Sequence, residues 1–216
     1  MEITFAVFPG FTALDLIGPY EVVARLPGTS VQFAAAESGP VADSRGVIEV
    51  PAARSFAEVS RPEVVVVPGG AITRRMVRDG HPLIDWLREV HPHTRFTTSV
   101  CTGSLLLGAA GVLDGLEATS YWVAREQLAD FGATPLDERV VERGRVITGA
   151  GVSSGIDMAL LLVARLAGEE AAQIIQLAIE YDPAPPFDAG SPATASPAIV
   201  AAVRARVAAN LAAASA

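Results

Sequence analysis

The sequence predicts a doubly wound α/β domain with a mostly parallel sheet and helices on both faces. Two apolar runs, residues 3–8 and 63–67, are nearly continuous and each is followed by Pro-Gly, which is typical of buried parallel strands. A third run, residues 95–100, contains the β-branched residues Thr97, Thr98 and Val100 and is followed by Cys101 and a helix. Helical stretches alternate with these strands, and this alternation favours a parallel sheet covered on both sides.

The remaining elements follow from periodicity and turn residues. The first helix covers residues 11–23, and we expect it to be interrupted near Gly18 and Pro19. Residues 117–122 begin a strand-to-helix passage. Further helices are predicted at residues 71–78, 82–90, 105–110 and 156–166. Further strands are predicted at residues 31–36, at 46–50 as a hairpin or edge strand, and at 140–141 and 145–148 as a hairpin about Arg143-Gly144.

The C-terminal part combines an extended segment with a helix. Residues 182–192 are rich in proline, which is excluded from helix interiors and central strands. The helix that follows carries apolar residues at four-residue steps, a stripe that needs a partner surface: Ile199, Val203, Val207 and Leu211. We expect residues 1–216 to form a single domain, with residues 182–216 as this extended segment and helix.

Composition excludes several classes of partner. The net charge is −8 and no candidate helix carries a Lys/Arg cluster, so nucleic acid and membrane surfaces are not expected partners. The N-terminus lacks a basic signal-peptide region, and the most apolar helix is too short to span a bilayer. Cys101 is the only cysteine, which excludes a disulfide within the chain and suggests a reducing compartment. We therefore expect a soluble, cytoplasmic protein.

Cys101 stands at a strand-to-helix elbow, a position that lifts a nucleophile out of the backbone at the carboxyl end of a sheet. Thr102 and Ser104 suit a helix N-terminus, and Gly103 permits close backbone approach. The helix dipole at this position favours the thiolate. The alternative interpretation is that Cys101 is a small buried hydrophobe, as most free cysteines are.

Two further features bear on chemistry at this elbow. Asp15 lies among Leu14, Leu16 and Ile17, which suggests a carboxyl within the apolar layer between helix and sheet, the alternative being a capping or solvated aspartate. Gly69-Gly70 ends a buried strand, where it either forms a tight turn or presents a bare N–H to developing negative charge.

Other polar motifs do not indicate a cofactor or a metal. His91-Pro92-His93 has no Cys or acidic partner at ligand spacing, so a solvated turn is predicted there. The Gly- and Ser-rich residues 149–155 lack the Gly-Lys-Ser/Thr of a phosphate loop and a full dinucleotide fingerprint. We therefore predict no cofactor and no metal.

The sequence resembles the DJ-1/PfpI superfamily. The resemblance rests on Val66-Val67-Pro68-Gly69-Gly70, followed about thirty residues later by Ser99-Val100-Cys101-Thr102-Gly103. Within the superfamily the chain is similar to the isonitrile hydratase branch along essentially its whole length, most clearly at residues 14–19, 99–104, 149–157 and 181–192.

This resemblance implies a flavodoxin-like fold, a homodimer, and a cofactor-free enzyme that adds water to an isonitrile to give an N-substituted formamide. Cys101 would be the nucleophile, Asp15 its acidic partner, and Thr102 matches the residue that follows the family's nucleophile. Many relatives carry His where this chain has Tyr121, so a Cys–His pair is not available there and hydrolase chemistry is disfavoured. The unpaired C-terminal stripe adds to the expectation of a dimer.

The residues suit this hydration. We expect the Cys101 thiolate to attack the isonitrile carbon while Asp15 donates a proton to it, giving a thioimidate that water, activated by Asp15, then opens. Backbone N–H groups near Gly70 and Thr102 would stabilise developing charge.

Two alternatives use the same cysteine. One is a DJ-1-like enzyme that acts on aldehydes or glyoxals, and the other is a ligand- or redox-sensing module in which Cys101 is oxidised without turnover. Because the chain ends soon after Leu211, we do not expect a fused DNA-binding domain of the kind that regulator relatives carry.

Overall fold

A seven-stranded sheet forms the centre of the computed structural model, which describes residues 1–215, with side chains as far as residue 212. The strands, including those of two small sheets, are β1 (Glu2–Ala6), β2 (Ser30–Ala35), β3 (Gly39–Ala42), β4 (Glu49–Ala52), β5 (Arg54–Ser55), β6 (Val64–Val67), β7 (Phe96–Val100), β8 (Glu117–Ala118), β9 (Thr134–Pro135), β10 (Val140–Arg143) and β11 (Val146–Gly149). The α-helices are α1 (Ala13–Val23), α2 (Thr73–Asp79), α3 (Pro82–Val90), α4 (Gly103–Ala109), α5 (Ser154–Ala167), α6 (Glu169–Ala178) and α7 (Pro197–Ser215). Short 3-10 helices lie at Phe56–Glu58, His91–His93 and Arg125–Phe131.

The order of the strands confirms the predicted doubly wound, flavodoxin-like fold. The central sheet runs β10-β11-β7-β6-β1-β2-β5, and every neighbouring pair is parallel except the hairpin β10–β11. Its five long parallel strands have the order 2-1-3-4-5 when counted along the chain, as flavodoxin-like sheets do. The order reverses between β1 and β6, and ligands of such sheets bind beside this switch point, at the carboxyl ends of the strands.

The core is built from the apolar strands that the sequence indicated. All four valines of β6 are completely buried, and β6 pairs with β1 on one side and β7 on the other. Thr98 on β7 is also fully buried, and its hydroxyl donates to the Val65 carbonyl at 3.1 Å. A strand buried on both faces has no polar alternation, which is why these runs predicted central strands.

The helices form two packed groups. Helix α1 packs against α5, and α5 against α6, whereas α2 and α3 pack against α4. Right-handed crossovers explain this division, because the chain moves in opposite directions along the sheet after β1 and after β6. Among residues 1–215, no helix combines the length and the apolarity that crossing a bilayer requires.

The predicted interruption of the first helix is wrong. Helix α1 continues through Pro19, although the proline ring removes the hydrogen bond to the carbonyl four residues earlier. The reason is tertiary packing: a Cβ added at Gly155 of α5 would lie 3.0 Å from the Pro19 ring, so the two helices meet there at close range. The ring therefore packs at a helix interface that the local sequence does not reveal.

Helix α6 was not predicted, whereas the other differences are small. The strand predicted at 46–50 begins at Glu49 and pairs with β3 in a separate antiparallel hairpin, and β3 itself was not predicted. The passage at 117–122 contains only the two-residue strand β8, which pairs with β9 outside the central sheet. The predicted β10–β11 hairpin is confirmed, and residues 182–192 contain neither helix nor strand, as expected.

Candidate active site

Cys101 lies at the elbow between β7 and α4 with a left-handed backbone, φ 57°. This conformation is unfavourable for a residue with a Cβ, so neighbouring groups must hold it. The Cys101 N–H donates to the carbonyls of Gly149 and Ala150, at 3.1 and 2.7 Å. The Cys101 carbonyl accepts hydrogen bonds from the hydroxyls of Ser104 and Ser120, both at 3.0 Å. The elbow is thus fixed on both sides of the cysteine.

Asp15 brings a carboxyl group from the first turn of α1 to this elbow. The residue is completely buried, as the sequence suggested, and is neither a cap nor solvated. The Gly69 N–H donates to Asp15 Oδ2 at 2.9 Å, and the carboxyl lies close enough to the Cys101 thiol for each group to shift the pKa of the other. Within the described residues, Asp15 Oδ1 has no hydrogen-bond partner. A nucleophile and a carboxyl therefore share one buried position beside the switch point of the sheet.

Burial changes the acidity of both groups. It raises the pKa of Asp15 from 3.8 to about 7, although the Gly69 N–H and the Cys101 thiol oppose this rise. Burial also raises the pKa of Cys101 well above its ordinary value, with a further contribution from the Asp15 charge, and hydrogen bonds from Thr102 lower it in part. Burial therefore acts against the preference for thiolate that the helix N-terminus suggested. In the resting pair the sulfur keeps its proton while Asp15 titrates near neutral pH.

Thr102 links the cysteine to the glycine pair. The Gly70 N–H donates to Thr102 Oγ1 at 3.0 Å, and the same hydroxyl donates to the Gly70 carbonyl at 3.0 Å. The Gly70 N–H is therefore not the bare donor that the sequence suggested, since Thr102 already occupies it. The Thr102 backbone N–H and side chain both contact the Cys101 sulfur. Its single hydroxyl proton can bond either the Gly70 carbonyl or the sulfur, but not both.

Gly69 is needed because three chain segments meet at this point. A Cβ added there would lie 2.6 Å from the Thr102 nitrogen and 2.9 Å from Asp15 Oδ2. Contacts this short do not occur with real Cβ atoms, so any larger residue would displace the acid or the elbow. The glycine pair serves close packing of the site rather than a tight turn alone.

A cavity of about 180 Å³ lies beside the cysteine. Its walls include Cys101, Thr102, Arg74, Tyr121 and Leu211. A larger cavity of about 560 Å³ adjoins it, because Tyr121 and Val152 line both spaces. The inner space is smaller than the usual pocket for a drug-sized molecule, so it suits a small reacting group with a short substituent.

Helix α7 closes one side of this region. Val207 and Leu211 line the cavity at Cys101, while Ile199 and Val203 line a groove against Trp122. The Arg204 guanidinium also lies over the Trp122 ring, 4.8 Å from its centre. The chain's own site therefore covers part of this apolar stripe, while Ile199 remains 48% exposed.

Several residues at the site were not predicted from the sequence. Tyr121 attracted attention only because relatives carry His there, yet its side chain lines both cavities, and burial raises its pKa with a further contribution from the Cys101 charge. Ser120 holds the Cys101 carbonyl, and Arg74 lines the cavity. Nothing in the sequence distinguishes Arg74 from its neighbour Arg75, because only the fold determines which of the two side chains lines the cavity.

The histidines lie elsewhere. His81 caps α3 by accepting a hydrogen bond from the Leu83 N–H at 3.2 Å. His91 is half-buried rather than solvated, with its Nδ1 atom 2.9 Å from Thr97 Oγ1 near the start of β7. In the part of the chain that the structure describes, no histidine lines either cavity, so Cys101 has an acid and not an imidazole as its partner.

Comparisons with known proteins show the family of this chain. The model of the DJ-1/PfpI family matches residues 1–165. An isonitrile hydratase of Pseudomonas putida is 43% identical over 211 residues, which cover 98% of this chain and 92% of that protein. A crystal structure of a ThiJ/PfpI family protein from Pseudomonas syringae superposes with a TM-score of 0.92 at 37% identity, over 99% of this chain and 88% of that one. A deglycase, PfpI of Pyrococcus furiosus, is 29% identical over 68% of this chain and 89% of its own length.

Proposed function

The chain belongs to the DJ-1/PfpI family, and on that premise we propose that it hydrates isonitriles to N-substituted formamides. The observation that carries the proposal is the buried Asp15 carboxyl, which lies next to the Cys101 thiol beside a small cavity. An isonitrile carbon is both electrophilic and basic, so it requires a nucleophile and a proton at almost the same place. The Asp15–Cys101 pair offers both groups from one position.

The first step forms a carbon–sulfur bond. In the singly ionised pair, the Asp15 carboxylate takes the thiol proton as sulfur attacks the isonitrile carbon, and Asp15 returns that proton to the same carbon. The isonitrile R–NC and the thiol thereby become a thioimidate, R–N=CH–S–Cys101, and Asp15 is again a carboxylate. The Thr102 hydroxyl supports this step by turning from the Gly70 carbonyl to the sulfur as negative charge develops there.

The second half of the reaction consumes one water molecule. The Asp15 carboxylate removes a proton from water as its oxygen adds to the thioimidate carbon, and that proton passes to the nitrogen. The adduct R–NH–CH(OH)–S–Cys101 then collapses: the hydroxyl proton goes to Asp15, the carbon–sulfur bond breaks, and formamide leaves. Sulfur departs as thiolate and recovers its proton from Asp15, which restores the starting pair. No redox change occurs at any step.

The test is turnover of an aromatic isonitrile by the purified protein, followed as formamide by mass spectrometry. Cys101→Ala and Asp15→Asn are expected to abolish turnover. Asp43→Asn, which replaces another aspartate that is 7% exposed, serves as the matched control and is expected to retain it. Full activity in the Asp15→Asn variant would remove Asp15 from the mechanism, and inactive wild-type protein across several isonitriles would refute the function.

A second candidate is a DJ-1-like activity on aldehydes or glyoxals, which the same cysteine and acid favour and which fits the similarity to a deglycase. The same preparations incubated with methylglyoxal distinguish it, because this activity predicts turnover of the aldehyde and none of the isonitrile. A redox sensor is less well supported. Cys101 is only 6% exposed and burial raises its pKa, whereas sensor cysteines are accessible and low in pKa.

The homodimer, the cytoplasmic location and the single domain over residues 1–216 are part of this proposal. The contribution of α7 to the cavity at Cys101 supports treating the C-terminal segment as belonging to the same domain. Light scattering of the purified protein tests the dimer, and a mass equal to that of one chain, 22.4 kDa, would contradict it.

A further inference from the structure

Arg74 is a cation that the fold leaves inside the candidate site. It lies in the first turn of α2 and lines the cavity that also contains Cys101 and Tyr121. Arg74 and Arg125 are the arginines that the structure partly buries, the others being exposed. Arg125 forms an ion pair with Asp137, whereas Arg74 has no carboxylate partner among the described residues. A desolvated guanidinium without an anion is unusual, because burial of a charge is costly unless it is paired.

A hydrogen bond to Gln127 fixes the orientation of the Arg74 side chain. Its Nε atom donates to Gln127 Oε1 at 2.9 Å, a neutral acceptor that holds the planar group without neutralising its charge. The two terminal nitrogens have no hydrogen-bond partner within residues 1–215. These nitrogens are the pair that binds a carboxylate through two parallel hydrogen bonds. Burial lowers the pKa of Arg74, and the charges of Cys101 and Tyr121 act on it in the opposite direction, which locates it close to both.

We propose that Arg74 binds a carboxylate on the substituent of the substrate, so that the preferred substrates are isonitriles bearing a carboxylate. This proposal rests on the proposed function and specifies the substrate class. The isonitrile carbon would lie at Cys101 and the carboxylate at Arg74, two groups on the walls of one cavity of about 180 Å³. A short linker between isonitrile and carboxylate fits a space of this size. The apolar side chains of Val207 and Leu211 would contact the remainder of the substituent.

The test compares isocyanoacetate with its methyl ester, which differ in charge and hardly in shape. Wild-type protein is expected to show a higher kcat/KM for the acid than for the ester. In Arg74→Met the ratio of the two kcat/KM values should fall roughly 10- to 100-fold, the range expected for loss of a hydrogen-bonded charge pair. Arg74→Lys, which keeps the positive charge but lacks the two terminal guanidinium nitrogens, should give an intermediate ratio. Arg78→Met, on the same helix but exposed and paired with Asp79, is the matched control and should leave the ratio unchanged.

Two results would overturn the proposal. One is a ratio in Arg74→Met equal to that of the wild type. The other is an equal loss of activity on both substrates, which would show that Arg74 acts on the thiolate rather than on the substrate. If the wild type hydrates neither compound, the proposed function fails, and titration calorimetry still tests whether Arg74 binds a carboxylate. Binding of N-formylglycine, but not of its methyl ester, that weakens at least tenfold in Arg74→Met supports a carboxylate site, and equal binding of the two refutes it.

Discussion

The stability of the Asp15→Asn variant relative to the wild type is expected to increase as pH rises. The pKa of Asp15 is about 7 in the folded protein because the carboxyl is buried, against 3.8 when it is solvated. Between these pH values the folded state keeps a proton that the unfolded state has lost. The contribution of Asp15 to stability is therefore fully present below pH 3.8 and is lost as pH rises to about 7, above which it stays constant. Asparagine does not titrate, so the variant lacks this loss.

The size of the effect follows from the same two pKa values. A rise from 3.8 to about 7 corresponds to about 4 kcal/mol in total, and about 2 kcal/mol of it is expected between pH 5.5 and 8.0. The asparagine carbonyl can still accept the Gly69 N–H, while its amide group replaces the unpartnered Oδ1. That replacement has its own cost, but the cost does not depend on pH and cancels when the two pH values are compared.

The assay is urea unfolding of wild type and Asp15→Asn at pH 5.5 and 8.0, both above the isoelectric point of about 4.9. The stability of the variant relative to the wild type should increase by about 2 kcal/mol between these values. Asp43→Asn is the control. Hydrogen bonds from the Val47 and Ile48 N–H groups lower the pKa of Asp43, so it is ionised in both states over this range, and its replacement should destabilise equally at both pH values. A pH-independent difference for Asp15→Asn would refute the buried, titrating carboxyl.

Three further predictions concern the same site. The kcat/KM for hydration should rise with pH through about 7, since Asp15 must lose its proton before it can take that of Cys101; a profile that is flat from pH 6 to 8 would contradict this order of proton transfers. Cys101→Gly should be more stable to urea than Cys101→Ala by about 1 kcal/mol, because glycine adopts φ 57° without strain, and equal stabilities would mean that the elbow is relaxed. Gly69→Ala should lower the melting temperature and reduce kcat by at least about 100-fold, because its Cβ would collide with Thr102. Gly190→Ala is the control, and it should leave the melting temperature unchanged because the space around its Cβ is open. Full activity in Gly69→Ala would show that the neighbouring residues move aside without consequence for the reaction.

The sequence was most informative where burial leaves no choice of residue type. The valines of β6 and the apolar run of β1 can only be central strands, and a cysteine at the end of such a strand predicts an elbow. Asp15 was also identifiable, because an acid flanked by leucines in a helix must either cap, face solvent or be buried. The resemblance to a known family then selected among these alternatives.

The features that sequence reasoning missed depend on tertiary contacts. Pro19 predicts a broken helix until its packing against Gly155 is known. The pKa of Cys101 depends on how completely the thiol is removed from water, and the local motif reports only the helix dipole. Arg74 differs from its neighbours only in the direction of its side chain. The stripe on α7 was recognised as needing a partner, but the sequence did not show that part of it lies beside Cys101 and Trp122.

The position of α7 places one wall of the cavity in a part of the chain that is separate from the elbow and the acid. Cys101, Asp15 and Thr102 lie within residues 1–165, the part matched by the family, whereas Val207 and Leu211 lie beyond it. Changes in the last helix can therefore reshape one wall of the cavity without disturbing the elbow or the acid. Exchanging α7 between relatives is accordingly a route to altered selectivity with the catalytic pair left intact.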